Sequence, residues 1–290
     1  MIHEIIPLHE AGSLPGACFE TYFIEESEEY KIKKRPAVII CPGGGYCYLS
    51  TREGEIMAMQ YFAMGYQTVV LKYSIAPAVY PAALTELTRT VLTLRENAEK
   101  WHIDADHIVV AGSSAGGHLA ASYGMFWSED WLREKMGLTE AQKELLRPQG
   151  MILNYPVITS GKFAHRDSFK NLLGDRYDEL VEKMSLENRV NTDTPPAFIW
   201  HTFTDGCVPV ENSLLLVSAM KEAGIPTEFH MYPEGGHGIG LANKLTETSY
   251  ECEVIPACQT WLGMAHTWLD NICDYKDISD ISRYMSILAK

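Results

Sequence analysis

The sequence has no long apolar run. No segment approaches the roughly 20 residues needed to span a bilayer, so a transmembrane protein is not expected. The opening "MIHEIIPLHE" is acidic and lacks both a basic stretch and a long apolar one, which argues against a secretory signal. There is no repeat, no low-complexity tract and no Gly/Ser- or Pro-rich linker, so one domain over 1–290 is expected. Cysteine pairs at C-x-x-C spacing are absent. The seven cysteines (Cys18, Cys41, Cys47, Cys207, Cys252, Cys258, Cys273) are odd in number and scattered. They suit reduced thiols of a cytoplasmic protein, not a disulfide frame or a zinc site. Basic residues are in short supply, 24 against 38 acidic ones, for a net charge of −14. That balance opposes nucleic acid or an anionic membrane as partner and leaves a neutral small molecule open. A homodimer is compatible with it.

What is present is an alternation of strand-like and helix-like segments. Short apolar runs at 36–41 ("PAVIIC"), 66–74, 107–111, 150–156, 197–203 and 227–233 suit strands covered on both faces, and 18–25 suits an early strand exposed on one face. Residues 52–64, 81–101, the stretch from Ala115 and residues 210–224 suit helices. Residues 157–196 are irregular, with room for short helices forming a small cap over a site. The pattern predicts an α/β fold with a mostly parallel sheet and helices on both faces. Ligands of such sheets sit at the carboxyl ends of strands. Four segments directly follow predicted strands: "PGGGY", "GSSAGG", "HTFTDG" and "PEGGHG".

Gly112-Ser113-Ser114-Ala115-Gly116 fits G-x-S-x-G with Ser114 at its centre, a strand before it and a helix after it. The glycines answer a steric demand, because the turn is too sharp for side chains two positions either side of the serine. The following helix begins with free N–H groups, so the Ala115 amide is placed to face a developing oxyanion. The bland alternative is a glycine-rich phosphate loop, but G-x-G-x-x-G and a Walker lysine are both absent.

A serine nucleophile needs a base, and the base an orienting acid. His118 belongs to the helix after Ser114, His201 and His230 to strands, and His266 to a C-terminal apolar helix. His237 alone sits in a glycine-rich loop after the last strand. Asp205 directly follows the strand "AFIWHTF" and is the first choice of acid, with Glu234 second. The three glycines of "PGGGY" supply a second set of backbone donors.

With these pieces in this order the chain resembles an α/β-hydrolase. It is similar to hormone-sensitive-lipase-like esterases and more so to bacterial carbohydrate esterases that deacetylate xylan-type sugars. The segments that carry the resemblance are "CPGGGYCYLSTREGE", "LKYSIAPAVYPAAL", "GSSAGGHLAAS", "SFKNLLGD", "HTFTDGCVPVENS" and "YPEGGHGIGLA", covering roughly residues 36 to 241. The resemblance implies Ser114, Asp205 and His237 as triad and Gly44, Gly45 and Ala115 as oxyanion donors. It implies an acyl-enzyme route without metal or organic cofactor, and a short acyl ester of a sugar as substrate. Pro42 stands where the lipase-like pattern has histidine, which favours the sugar-esterase branch. Tyr46, Asn154 and Tyr155 are candidates for lining the site, with plain packing as the alternative. A serine peptidase or aminoacyl hydrolase would use the same triad, but the chain has no room for the propeller such enzymes often carry. A noncatalytic relative would usually have lost a triad member. The stretch 271–290 matches no part of the resemblance.

Overall fold

The computed structural model describes residues 1–275; most of the unmatched stretch 271–290 thus lies outside the described residues. The strands are β1 (Ile5–Pro7), β2 (Cys18–Tyr22), β3 (Arg35–Cys41), β4 (Gln67–Lys72), β5 (Ile103–Ser113), β6 (Gly150–Asn154), β7 (Ala197–Thr202) and β8 (Thr227–Tyr232). They form one sheet in the order β1-β2-β4-β3-β5-β6-β7-β8. β2 pairs antiparallel with β1 and β4, and every other pairing is parallel. The expected mostly parallel α/β sheet is therefore observed. β2 differs from expectation: four of its five residues are buried, because it lies inside the sheet between β1 and β4.

The central strands read as unbroken apolar runs because they feed two cores. Ala37, Ile39, Ile108, Val110, Met151, Leu153, Ala197 and Ile199 face one core, and their alternate neighbours Val38, Ile40, Val109, Ala111, Ile152, Phe198 and Trp200 face the other. The second core is closed by α1 (Glu55–Ala63) and, near the C-terminus, by the helix Trp261–Ile272, whose Trp261 stacks on Trp200 at 5.2 Å. The first is closed by α2 (Ala82–Glu96), α3 (Ala115–Phe126) and the helix Glu211–Glu222. α3 is buried along its whole length, as its small, apolar composition requires. α2 ends at Glu96, earlier than its apolar spacing suggests, with Leu84, Leu87, Val91 and Leu94 in the core.

Between residues 157 and 196 the expected short helices are present. After α4 (Asp130–Lys135), they are α5 (Arg166–Leu173) and α6 (Tyr177–Leu180), and they precede α7 (Glu211–Glu222) and α8 (Trp261–Ile272). Phe169, Leu172, Leu173, Leu180, Met184 and Leu186 of this segment join the first core. No helix among the described residues is long and apolar enough to cross a membrane. The strand register aligns Cys41 with Gly112, Ser113 with Asn154, and Asn154 with Trp200. The loops after β3, β5, β6 and β7 therefore leave the sheet at one level.

His118 on α3 is buried with both ring nitrogens engaged. Nε2 lies 3.1 Å from the Met184 carbonyl, which only accepts, so Nε2 carries the proton and Nδ1 accepts from the Tyr46 hydroxyl at 3.0 Å. Burial pushes its pKa down to about 4 from the ordinary 6.5, against a smaller upward pull from the Met184 carbonyl. Between those two values the unfolded chain binds a proton that the folded chain refuses. Stability held above pH 6.5 is therefore lost as pH falls toward 4. Urea unfolding at pH 7 and pH 4 should show wild type losing about 3 kcal/mol more than His118→Gln over that interval. Equal losses in both proteins would contradict this account.

Candidate active site

Ser114 caps α3 with φ 54° and ψ −119°, a left-handed conformation that costs a non-glycine residue about 1–3 kcal/mol. The surrounding backbone holds it there. The Ser114 amide donates to the Asn154 carbonyl at 3.0 Å, and its carbonyl accepts from the amides of His118 and Val157 at 3.0 and 3.1 Å. The turn closes because Gly116 has no side chain: a Cβ there would stand 2.0 Å from the Cys41 carbonyl oxygen. A Cβ on Gly112 would likewise stand 2.1 Å from the Gly116 oxygen.

Around this turn the structure brings together the three residues the sequence singled out. His237 Nδ1 lies 2.7 Å from Asp205 Oδ2, and His237 Nε2 lies 2.7 Å from Ser114 Oγ. An ionised carboxylate only accepts, so Nδ1 carries the proton and the Nε2 lone pair faces the serine hydroxyl. Asp205 is buried. Burial by itself raises its pKa, but hydrogen bonds from His201 and His237, the charge of His237 and the Val208 amide outweigh it. Together they hold the carboxyl well below the usual carboxylate range. Its Oδ1 accepts the amides of Cys207 and Val208, both at 2.9 Å. Glu234, the second choice of acid, is exposed on the surface.

Gly44, Gly45 and Ser114 border one cleft of about 360 Å³. Gly44 has φ 127°, and a Cβ there would meet the Tyr48 carbonyl oxygen at 2.0 Å, so only glycine fits. Among the described residues the amides of Gly44, Gly45 and Ala115 donate to no protein acceptor. The Gly45 carbonyl is held by Asn171 Nδ2 at 2.8 Å, and the Gly43 amide by Glu53 Oε2 at 3.0 Å. Arg52, Glu53, His165, Asp167 and Asn171 add polar groups to the cleft, and no Leu, Ile, Val, Met or Phe lines it. Burial, then the nearby His237, pushes His165 down. No group of three or more His, Cys, Asp or Glu among the described residues is arranged to hold a metal ion.

Three expectations are corrected. Tyr46, Asn154 and Tyr155 do not line the cleft. The Tyr46 hydroxyl points into the core and donates to His118. Asn154 is buried, donates to Ser113 Oγ at 3.1 Å and accepts from Trp200 Nε1 at 2.7 Å. Tyr155 is buried beneath His237, ring centroids 5.2 Å apart and edge to face. Each is large enough to reach a cleft, but each had its polar atom claimed by a buried partner. Four contributors escaped the sequence reading. His201 is buried, with Nε2 3.2 Å from Asp205 Oδ2 and Nδ1 2.8 Å from Ser213 Oγ. Glu53, His165 and Asn171 are the others. Glu53 and Asn171 lay within the segments "CPGGGYCYLSTREGE" and "SFKNLLGD" that carried the resemblance, which was the available signal.

A mostly parallel sheet that presents serine, acid and histidine in this chain order, each beyond a strand's carboxyl end, defines an α/β hydrolase. The BD-FAE family model matches residues 25–220. The chain belongs to that family. It is 39% identical over 215 residues to an endo-1,4-beta-xylanase B of Butyrivibrio fibrisolvens, covering 72% of this chain and 33% of that one. It is 29% identical over 233 residues to an acetylxylan esterase of Xylanibacter ruminicola, covering 78% of this chain and 45% of that one. The chain thus spans about a third to a half of the length of these curated relatives. Among solved structures it resembles an acetyl ester-xyloside bifunctional hydrolase from Caldicellulosiruptor lactoaceticus, at 35% identity and TM-score 0.78, covering 93% of this chain and 96% of that one. It also resembles the carboxylesterase Cest-2923 from Lactobacillus plantarum, at 30% identity and TM-score 0.80, covering 93% and 98%. The expected kinship with carbohydrate esterases is borne out, and the chain groups with carboxylic ester hydrolases.

The Gly116 contact is testable without any assay of function. Gly116→Ala must push rigid backbone apart and should cost at least about 3 kcal/mol, lowering Tm by roughly 6 °C or more. A thermal melt within 2 °C of wild type, on a scale of about 2–4 °C per kcal/mol, would contradict the packing described.

Proposed function

We propose that the chain is a serine esterase that removes short acyl groups, acetyl foremost, from sugars or xylo-oligosaccharides through an acyl-enzyme. The observation that carries the proposal is the relay Ser114–His237–Asp205, with 2.7 Å at each step, beside three amides without protein acceptors. His237 Nε2 takes the Ser114 proton as Oγ bonds to the ester carbonyl carbon. The carbonyl electron pair moves onto oxygen, where the amides of Gly44, Gly45 and Ala115 receive it. Collapse of this intermediate expels the alcohol, which takes the proton from His237. Water then attacks the acyl-serine by the same steps, returning the acid and free Ser114. Asp205 stays ionised throughout and stabilises the imidazolium.

The substrate class rests on the cleft and on the relatives' names. A polar lining of Arg52, His165, Asp167 and Asn171 offers hydrogen bonds to sugar hydroxyls, while a long acyl chain finds no aliphatic wall. Each added acyl methylene gains about 0.8 kcal/mol only where it is buried in apolar surroundings. Where it must displace packed atoms it costs roughly 1–3 kcal/mol. On p-nitrophenyl esters, kcat/KM should therefore fall from acetyl to butyryl and be very low at octanoyl. A steady climb through octanoyl would overturn the short-acyl assignment.

The triad assignment has its own test. Ser114→Ala should abolish turnover and labelling by a fluorophosphonate, while Ser113→Ala keeps most of both. Asp205→Asn should keep the fold, since an amide oxygen still accepts the Cys207 and Val208 amides, but lower kcat by about 10³–10⁴-fold. Labelling at a residue other than Ser114, or kcat within tenfold of wild type in Asp205→Asn, would contradict the mechanism.

A further inference from the structure

We propose that Glu53 is a positioning residue that couples the oxyanion loop to the loop bearing the catalytic base, through a single buried carboxylate. The inference rests on the esterase reading above and adds a residue to it. Glu53 ends the short 3-10 turn Thr51–Glu53 and is 3% exposed. Its two oxygens serve different loops. Oε2 accepts the Gly43 amide at 3.0 Å, one residue before the proposed oxyanion donors Gly44 and Gly45. Oε1 accepts the Tyr155 hydroxyl at 2.7 Å, and the same hydroxyl oxygen accepts the Gly240 amide at 3.1 Å. Gly240 lies three residues beyond His237, and the Tyr155 ring stands edge to face against the His237 imidazole.

The chain Gly43 N–H, Glu53, Tyr155 O–H, Gly240 N–H thus runs beneath the cleft from one side of Ser114 to the other. The donors along it are fixed. Burial, the charge of Glu53 and the hydrogen bond to it push the Tyr155 phenol well above its ordinary range, so it stays protonated and donates. The fit is close: a Cβ on Gly43 would stand 2.4 Å from Glu53 Oε2, so the loop can seat on the carboxylate only as glycine. A carboxylate accepts at both ends. An amide has one accepting end and one donating end, so glutamine either sets its NH2 against the Gly43 amide or sets it against the Tyr155 hydroxyl, which must then give up its own bond to residue 53 and accept a second donor beside Gly240. The misplaced loop should then hold its amides or its imidazole away from the geometry that the transition state requires, while the open cleft that receives the ground-state ester is little changed.

The test is Glu53→Gln and Tyr155→Phe, alone and combined, with p-nitrophenyl acetate as substrate and an alkyl boronic acid as mimic of the tetrahedral intermediate. We expect Glu53→Gln to lower kcat about 10- to 100-fold with KM within about twofold, and to weaken boronate binding by a matching factor. Tyr155→Phe should act in the same direction, and the double variant should lose less than the product of the two single losses, because both break one chain. A folded Glu53→Gln with kcat within twofold of wild type overturns the inference. So do multiplicative losses in the double variant, or a kcat loss without weaker boronate binding. Should Glu53→Gln fail to fold, full activity in Tyr155→Phe overturns it by itself. Wild type that neither turns over the ester nor labels with a fluorophosphonate overturns the esterase reading, and the inference with it; an active wild type isolates the inference.

Discussion

The rest of the site depends on one close approach, the backbone of α3's first turn against the carbonyls of Cys41 and Pro42. Gly116 comes so near that a Cβ would stand 2.0 Å from one oxygen and 2.4 Å from the other. This contact lets α3 start directly beneath the end of β3, and it forces the chain to reverse within the span of Ser114. The reversal gives Ser114 its φ of 54° and lifts Oγ out of the core. It also leaves the Ala115 amide, at the start of α3, without a protein acceptor. Those two features, a hydroxyl that borders the cleft and an unpaired amide next to it, are therefore consequences of one packing constraint. The strain at Ser114 is held by hydrogen bonds from both of its peptide groups, so it persists without a ligand.

The second constraint is electrostatic. A buried carboxylate is costly unless its lone pairs are filled. Asp205 meets that condition with two amides on Oδ1 and two imidazoles near Oδ2. His201 matters here although it never reaches the cleft. Its Nε2 faces two acceptors, Asp205 Oδ2 and the Val208 carbonyl at 2.9 Å, so it carries the ring's proton between them, and its Nδ1 is taken by Ser213, leaving no nitrogen to face Ser114. The pair of histidines on one carboxylate oxygen thus divides into a buried one that stabilises the anion and a cleft-side one that faces Ser114.

Much of this was legible in the sequence, because the informative signals are local. A strand, a glycine-rich turn and a helix at 107–126 specify Ser114 almost unaided. Chain order and loop position then select Asp205 and His237 from many acids and ten histidines. What failed was the assignment of Tyr46, Asn154 and Tyr155. An aromatic or amide beside a glycine loop has the right composition for a binding residue, and only the fold decides which way it points. Here each side chain turned inward to a partner distant in sequence: His118, Trp200 and Glu53 lie 72, 46 and 102 residues away. Glu53 was hidden for the same reason, through its bond to Tyr155. His201 has partners only 4, 7 and 12 residues away, but a mid-strand histidine gives no sign in the sequence of which way its ring turns. β2 was misjudged because burial of a strand depends on its neighbours in the sheet, and alternation alone does not report them.

The cleft sets two buried carboxylates behind one serine, and their partners give them different work. In the proposed mechanism Asp205 faces an imidazole that gains a positive charge, so its own charge is worth more in the transition state than in the ground state. Glu53 faces a peptide amide and a phenol, neither of which changes charge, so its hydrogen bonds act by fixing the position of the groups they hold. One of its oxygens is committed to Gly43 and the other to Tyr155, both neutral donors. The proposed oxyanion loop is fixed from the far side as well, by Asn171 on the Gly45 carbonyl. Held at Gly43 and at Gly45, the loop has little freedom left between them, and preorganised amides are what stabilise charge without reorganising as it forms.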